Sequence, residues 1–174
     1  MSAIQCYGDL CDSPLGEIWF VVDQAGALLE LQFQDGKYGA PNVEVIEERY
    51  AKRGLNITWD RRRLKPASDA LAEYFAGERR DFDLPLAPAG TSFQKRVWAE
   101  LVKIPYGTTC SYGALAAKIG QPNASRAVGL ANGKNPIAIV IPCHRVIGSD
   151  GSLTGFAAGT DVKRVLLEIE GVVA

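Results

Sequence analysis

The sequence is poor in the residues that metal sites and disulfide frameworks need. Its 174 residues include 4 cysteines, 1 methionine and 1 histidine. No two cysteines form a Cys-x-x-Cys pair, and the only histidine, His144, directly follows Cys143. Four cysteines are too few for the disulfide framework of a small secreted protein, and zinc ligands are spaced differently. The sequence therefore predicts free thiols and no metal site.

Long apolar runs are also absent. The longest, around Ile137 to Pro142, is far shorter than the roughly 20 residues that cross a bilayer. The start, MSAIQCYGDL, has no basic patch followed by a hydrophobic run, as a signal peptide would. We therefore expect no membrane partner and a location in the cytoplasm, at the nucleoid in a bacterium or in the nucleus of a eukaryote.

Net charge is small but unevenly distributed. With 47% hydrophobic residues and a net charge of −1, the chain is not a disordered, low-complexity protein. Residues 1–90 carry 10 basic and 15 acidic side chains, whereas residues 91–174 carry 9 basic and 5 acidic ones. A polyanion would therefore meet the second half of the chain, although an excess of this size is common on ordinary protein surfaces.

The first half has the pattern of a small α/β domain with antiparallel strands. Segments 16–22 and 27–33 are rich in strand-forming residues, and the turn-rich tetrapeptide 23–26 predicts a hairpin between them. Helical spacing predicts helices over 42–52 and 68–76, and 35–41 is read as a loop. Two prolines and no periodicity over 83–90 indicate a linker. We assign the domains as 1–84 and 91–174, joined by 85–90.

The second half is predicted to be mostly helical, which makes the chain α+β. Thr91 or Ser92 can cap a first helix and Ser111 a second. A third helix over 124–132 follows the second after four turn residues, as in a helix-turn-helix. A buried strand is predicted at 137–141, and a last helix at 162–170 with Thr160 or Asp161 as its cap.

The third of these helices is unusually rich in small residues. Glycine inside a helix costs about 1 kcal/mol relative to alanine, so Gly129 and Gly133 need another explanation. One is close packing against another helix of the same protein. The other is a thin helix that approaches an external surface closely, with the cationic side chain of Arg126 projecting from it.

Cys143 is the candidate reactive residue. It follows an apolar segment and Pro142, and it stands beside His144. A thiol in this setting can be a core residue, a redox group or a nucleophile, and an imidazole nearby favours the reactive thiolate. The residues alone leave the choice open between a nucleophile and an inert thiol.

The combination of motifs resembles the O6-alkylguanine-DNA alkyltransferases. The resemblance covers nearly all of 91–174, through the segments SFQKRVW, IPYGTTCSYGALA, SRAVGLANGKNP, IPCHRVIG, LTGFAAG and LLEIEG. The first half matches that family only in its general layout.

The resemblance implies a role for each of five catalytic residues. Cys143 would accept the alkyl group, and His144 would deprotonate it through a bridging water. Glu170 would orient and polarise His144, Asn135 would brace the active-site turn, and Tyr112 would hydrogen-bond the extruded base and assist the departure of guanine. No cofactor is implied.

The resemblance also implies how DNA is bound. Arg126 would fill the space that the extruded base leaves in the duplex, and the small-residue helix would enter the minor groove. Helix-turn-helix segments normally read the major groove, so the motif would be used in an inverted way. The DNA-binding residues would be Tyr112, Ser125, Arg126, Ala127 and Gly129.

The implied substrate pocket contains one departure from the family. Phe156 stands where a tyrosine is common, and Ala157 and Ala158 replace the usual Ser/Gly and Gly, which removes a hydroxyl near the base. The pocket residues would be Asn132, Pro142, Val146, Phe156 and Ala157.

The implied function is single-turnover DNA repair. The alkyl group of O6-alkylguanine, and of O4-alkylthymine, would pass irreversibly from double-stranded DNA to Cys143 of a monomeric methylated-DNA–[protein]-cysteine S-methyltransferase. This requires a sulfur that is ionised and accessible to the extruded base. The alternatives are a non-catalytic binder of alkylated DNA, a helix-turn-helix regulator, and a cysteine hydrolase using Cys143 and His144. Relatives that only bind lesions carry tryptophan at the acceptor position, and here that residue is Cys143.

Overall fold

A computed structural model describes residues 3–33, 42–156 and 158–172 of the chain. The chain forms two compact units, Met1–Pro88 and Ala89–Ala174. The predicted α+β fold is confirmed, with a sheet in the first unit and mostly helices in the second.

The first unit is built on a four-stranded sheet. Its strands are β1 (Ile4–Ser13), β2 (Gly16–Val22), β3 (Leu28–Phe33) and β4 (Leu55–Trp59), in the order β3-β2-β1-β4. The predicted hairpin is confirmed as the antiparallel pair β2 and β3. Its turn is held by the Asp23 carboxylate, which accepts hydrogen bonds from the backbone of Ala25 and Ala27 at 2.9 Å each.

Strands β1 and β4 have no clear signature in the sequence. β1 contains Gly8, Asp9 and Asp12, all of which disfavour strands, yet it pairs with a neighbouring strand on both sides. It lies antiparallel to β2 and parallel to β4. Its partners, not its own propensity, fix its conformation.

Two helices accompany this sheet. The predicted helix 42–52 is α1 (Val43–Ala51), capped by the side chain of Asn42. The predicted helix 68–76 is α2 (Lys65–Phe75), which begins earlier because proline is tolerated in a first helical turn. The predicted loop over 35–41 lies outside the described residues.

The segment predicted as a linker is partly attached to the sheet. Leu28 donates a backbone hydrogen bond to Pro85, and Ala87 donates one to Leu28, at 2.8 Å each. Residues 85–87 therefore run beside β3 and belong to the first unit. The domain limits remain a prediction.

The second unit is mainly helical. Its helices are α3 (Ser92–Val102), α4 (Tyr112–Lys118), α5 (Ser125–Gly133) and α6 (Thr160–Ile169). Thr91 caps α3 in a capping box with Gln94, and Ser111 caps α4, as the sequence predicts. The predicted cap of α6 is wrong, because Gly159 occupies that position and no side chain bonds the helix end.

Helices α4 and α5 form the predicted helix-turn-helix and both pack on α3. Val128, Ala131 and Asn132 form the buried face of α5. The unit also holds a short parallel pair, β5 (Cys110–Ser111) and β6 (Val146–Ile147).

The strand predicted at 137–141 is wrong. These residues are buried, but they form tight turns, with hydrogen bonds from Val140 to Ala138 and from Ile141 to Ile137. Ile139 adopts a φ of 70°, which a β-branched residue seldom does. An apolar run indicates that a segment is buried but does not indicate its backbone conformation. A buried turn and a buried strand can therefore have the same composition.

No helix in the described ranges is both long and apolar enough to span a membrane.

Candidate active site

Asn135 shapes the turn that precedes the candidate nucleophile. Its side-chain oxygen accepts from the backbone N–H of Ile137 at 2.9 Å, and its amide nitrogen donates to the carbonyl of Ile141 at 2.8 Å. One buried side chain thus satisfies the backbone at both ends of the apolar turn, as a buried segment without strand partners requires. The chain leaves this turn at Pro142 and enters a 3₁₀ turn, Cys143–Arg145.

The side chains of His144 and Glu170 are in direct contact and buried. His144 Nε2 lies 2.6 Å from Oε2 of Glu170, the residue that caps the C-terminus of α6. Nδ1 of His144 is also buried, and it has no hydrogen-bond partner among the described residues. With Nε2–H donating to the carboxylate, Nδ1 carries the lone pair that can take a proton.

Arg145 completes this buried cluster, and sequence reasoning missed it. Its guanidinium donates to both carboxylate oxygens of Glu170, at 2.8 and 3.1 Å, and to the carbonyl of Ile104 at 2.6 Å. Burial lowers the pKa of His144, while the hydrogen bond and charge of Glu170 oppose this change. His144 is therefore a neutral base held by a carboxylate that Arg145 neutralises.

Cys143 itself is a buried thiol. Its exposed fraction is 5%, and its backbone carbonyl lies 3.4 Å from the amide nitrogen of Asn132. Burial raises the pKa of the Cys143 thiol, whereas hydrogen bonding by Asn135 and the charge of Lys163 lower it. The expected sulfur, ionised and exposed to an extruded base, is not what the structure shows, because Cys143 is buried and burial disfavours the thiolate.

Lys163 is the second residue that sequence reasoning missed. It is fully buried on α6, and its ammonium group donates to the carbonyls of Val146 at 2.5 Å and Thr154 at 2.8 Å. Burial lowers its pKa to about 8. The signal was present in the sequence, because Lys163 shares a helical face with Leu166, Leu167 and Glu170.

Replacing Lys163 with methionine should remove a pH dependence of stability. Between pH 8 and 10.5 Lys163 binds a proton in the unfolded chain but not in the folded one, so the contribution of Lys163 to the free energy of unfolding should rise with pH over this window. The rise is about 1.4 kcal/mol for each pH unit. Urea unfolding at pH 7, 8.5 and 10 provides the measurement. The free energy of unfolding of the unaltered protein, relative to that of Lys163→Met, should increase from each pH to the next. The exposed Lys103→Met is the control, and parallel profiles for all three proteins would contradict the assignment.

Tyr112 lies at the edge of the site. Its hydroxyl donates to the carbonyl of Thr154 at 2.9 Å, and burial raises its pKa. A Cβ atom at Gly155 would lie 2.8 Å from this hydroxyl, and Gly155 has a φ of +71°. Glycine is therefore required there both for the backbone and for the approach of Tyr112.

An open cavity of about 480 Å³ lies beside Tyr112. It is lined by Tyr112, Ser125, Arg126, Gly129, Leu130, Thr154 and Gly155. Four of the five predicted DNA-binding residues are in this lining. The fifth, Ala127, is exposed on the same helix.

The predicted substrate-pocket residues do not line this cavity. Pro142 and Val146 are buried close to Cys143 in the chain, and Asn132 is buried with its amide nitrogen near the Cys143 carbonyl. Phe156 is half-buried in the loop that precedes α6. Ala157 lies outside the described residues. The composition of the pocket therefore stays a prediction.

The described residues contain no group of three or more His, Cys, Asp or Glu side chains placed to hold a metal ion. Cys6 and Cys143 are buried, Cys11 and Cys110 are half-buried, and all four are free thiols.

Comparison with known proteins gives one family for both halves of the chain. Residues 92–172 match the family described as 6-O-methylguanine DNA methyltransferase, DNA binding domain, and residues 6–88 match its ribonuclease-like domain. The methylated-DNA–protein-cysteine methyltransferase of Methanosarcina acetivorans is 47% identical over 167 residues, which cover 95% of this chain and 98% of that protein.

Solved structures agree. The crystal structure of Mycobacterium tuberculosis O6-methylguanine methyltransferase matches with a TM-score of 0.82 and 43% identity, covering 97% of this chain and 94% of that one. The crystal structure of Mycobacterium tuberculosis OGT in complex with DNA matches with a TM-score of 0.78 and 42% identity, covering 94% and 92%. Because both halves match one family and the alignments span nearly the whole chain, this protein belongs to the 6-O-methylguanine DNA methyltransferase family.

Proposed function

We propose that this protein repairs DNA by transferring the alkyl group of O6-alkylguanine in a duplex to Sγ of Cys143, once per molecule. Relatives named as methylated-DNA–protein-cysteine methyltransferases and a relative's structure in complex with DNA support methyl transfer to a cysteine and DNA binding. The observation that carries the assignment to Cys143 is the neighbouring His144–Glu170 contact, which leaves the basic Nδ1 of a neutral imidazole without a hydrogen-bond partner in the part of the chain that the structure describes.

The chemical step is a single displacement. His144 takes the proton of the Cys143 thiol at Nδ1, through a bridging water. The sulfur attacks the alkyl carbon, a C–S bond forms, and the bond from that carbon to O6 of guanine breaks with its electron pair staying on guanine. Tyr112 hydrogen-bonds the base and assists this departure. The thioether has no leaving group, so the protein is consumed.

The buried cluster supports this step electrostatically. Burial keeps Cys143 a thiol at rest, so deprotonation requires a base, and His144 supplies it. The imidazolium that forms is stabilised by Glu170 at 2.6 Å, and the ammonium group of Lys163 favours the thiolate. Each charge that forms when the proton moves, the imidazolium and the thiolate, therefore lies near a group of opposite charge.

Helix α5 is proposed to enter the minor groove. The interior of the protein does not require its glycines, because a Cβ at Gly129 would make ordinary contact with the Tyr112 ring at 3.8 Å and one at Gly133 would meet nothing within 4 Å. Close internal packing therefore does not explain them. A close approach to an external surface does, and the cavity and exposed Arg126 lie on the same side.

Replacing Arg126 with alanine should slow repair of duplex DNA by at least tenfold and leave the reaction with free O6-benzylguanine unchanged. Only the duplex requires a base to be extruded and its space filled, which costs a few kcal/mol. Single-turnover rates with both substrates provide the measurement. Lys118→Ala, at the end of α4, is a control that also removes a positive charge from the motif. Equal losses on the two substrates would contradict the role of Arg126.

The assignment is tested by mapping the modified residue. The protein is incubated with duplex DNA that carries O6-methylguanine labelled in its methyl group, and its peptides are then analysed by mass spectrometry. We expect one label per protein molecule, on the peptide that contains Cys143. Label on another cysteine would refute the acceptor, and many turnovers would favour a hydrolase. No label with intact DNA binding would favour a non-catalytic lesion binder or a regulator. We further propose that the protein acts as a monomer.

A further inference from the structure

Leu130 is an exposed apolar side chain on the helix that we propose enters DNA. It is 68% exposed, more than Ile4 or Val102, the other exposed large hydrophobic residues in the described part of the chain. It also lines the cavity beside Tyr112. Apart from Arg126, the outward positions of α5 carry the small residues Ser125, Ala127, Gly129 and Gly133, so Leu130 is the one large apolar side chain on this face.

Leu130 makes no evident contribution to the folded protein by itself. The helix packs on the rest of its unit through Val128, Ala131 and Asn132, which are buried. A leucine that remains in water gains none of the free energy that burial would provide. Its side chain is therefore available to a partner.

The position of Leu130 relative to Arg126 indicates which partner. Residues four apart on a helix lie on one face, one turn or about 6 Å from each other. Both side chains line the same cavity. Gly129, which also lines it, has no side chain that could separate them. A surface that receives Arg126 therefore meets Leu130 as well.

We propose that Leu130 is an apolar wedge that packs against the duplex beside the extruded nucleotide and stabilises the opened groove. This rests on the proposed function, in which α5 lies in the minor groove and Arg126 occupies the gap. Leucine is one of the side chains that minor-groove proteins insert to separate base steps. The sugars that wall the groove offer apolar C–H surface, so burial of Leu130 is gained only when DNA is bound and opened.

The wedge predicts a loss that depends on the substrate. Leu130→Ala should slow alkyl transfer from duplex O6-methylguanine about tenfold, which corresponds to about 1.4 kcal/mol of lost burial. Transfer from free O6-benzylguanine and from a single-stranded oligonucleotide should stay within twofold of the unaltered protein, because neither has a groove to open. Leu130→Met, which keeps the apolar volume, should retain the duplex rate to within threefold.

The controls separate this inference from the function on which it rests. Val102→Ala removes another exposed apolar side chain, on α3, and should leave all three rates unchanged. If the unaltered protein is not labelled at Cys143, the proposed function fails. If it is labelled but Leu130→Ala keeps the duplex rate, only the wedge is overturned. An equal loss on the single strand or the free base also overturns it, because Leu130 would then contact the extruded nucleotide itself.

Discussion

Replacing Cys143 with alanine is expected to abolish alkyl transfer and to leave DNA binding within a few-fold of the unaltered protein. No other group in the site can form the stable thioether, so the rate should fall below detection. DNA binding should survive, because the exposed face of α5 and Arg126 do not involve the thiol. The two measurements are label transfer from O6-methylguanine duplex and a mobility shift with the same DNA.

Cys110 provides the matched control. It is half-buried in the same unit, its pKa is raised by burial, and its strand β5 pairs with the β6 residues that follow the active-site turn. Cys110→Ala should keep the rate of transfer. If the label persists in Cys143→Ala and disappears in Cys110→Ala, the acceptor is Cys110 and the assignment to Cys143 is wrong.

Replacing Glu170 with alanine should have the largest effect on stability. The Glu170 carboxylate is buried, and it is the partner of both Arg145 and His144. Its removal leaves the guanidinium of Arg145 buried without a counter-charge, which typically costs about 3–5 kcal/mol. Chemical denaturation should show this loss, and transfer to Cys143 should fall because His144 is no longer oriented.

Glu168 is the control for this substitution. It is an acidic residue of the same helix but lies exposed, so Glu168→Ala should change the free energy of unfolding by less than about 0.5 kcal/mol. The buried cluster would lose its proposed importance if the two variants unfolded at the same denaturant concentration. Loss of stability without loss of transfer would assign Glu170 a structural role only.

The sequence correctly predicts the helices that begin at a capping residue. Thr91 and Ser111 cap their helices as expected because capping is a local interaction between a side chain and the following turn. The gap between α4 and α5 is equally local. The strand predicted at 137–141 fails because its conformation is set by the side chain of Asn135, which no periodicity records.

The candidate site divides in the same way. The resemblance names Cys143, His144 and Glu170, and the structure brings His144 and Glu170 within 2.6 Å. Arg145 and Lys163 were overlooked because charged side chains are usually solvated. Their burial follows from tertiary contacts, with Glu170 for one and with two backbone carbonyls for the other.

The carbonyl of Thr154 accepts from two donors at once, the hydroxyl of Tyr112 and the ammonium group of Lys163. If Tyr112 turns toward an incoming base, this oxygen keeps its second donor and is not stranded without a hydrogen bond. The loop thus stays tethered to α6 while the tyrosine changes partner. Tyr112 can exchange a protein acceptor for a nucleobase at small energetic cost, so recognition of the base need not wait for the loop to rearrange.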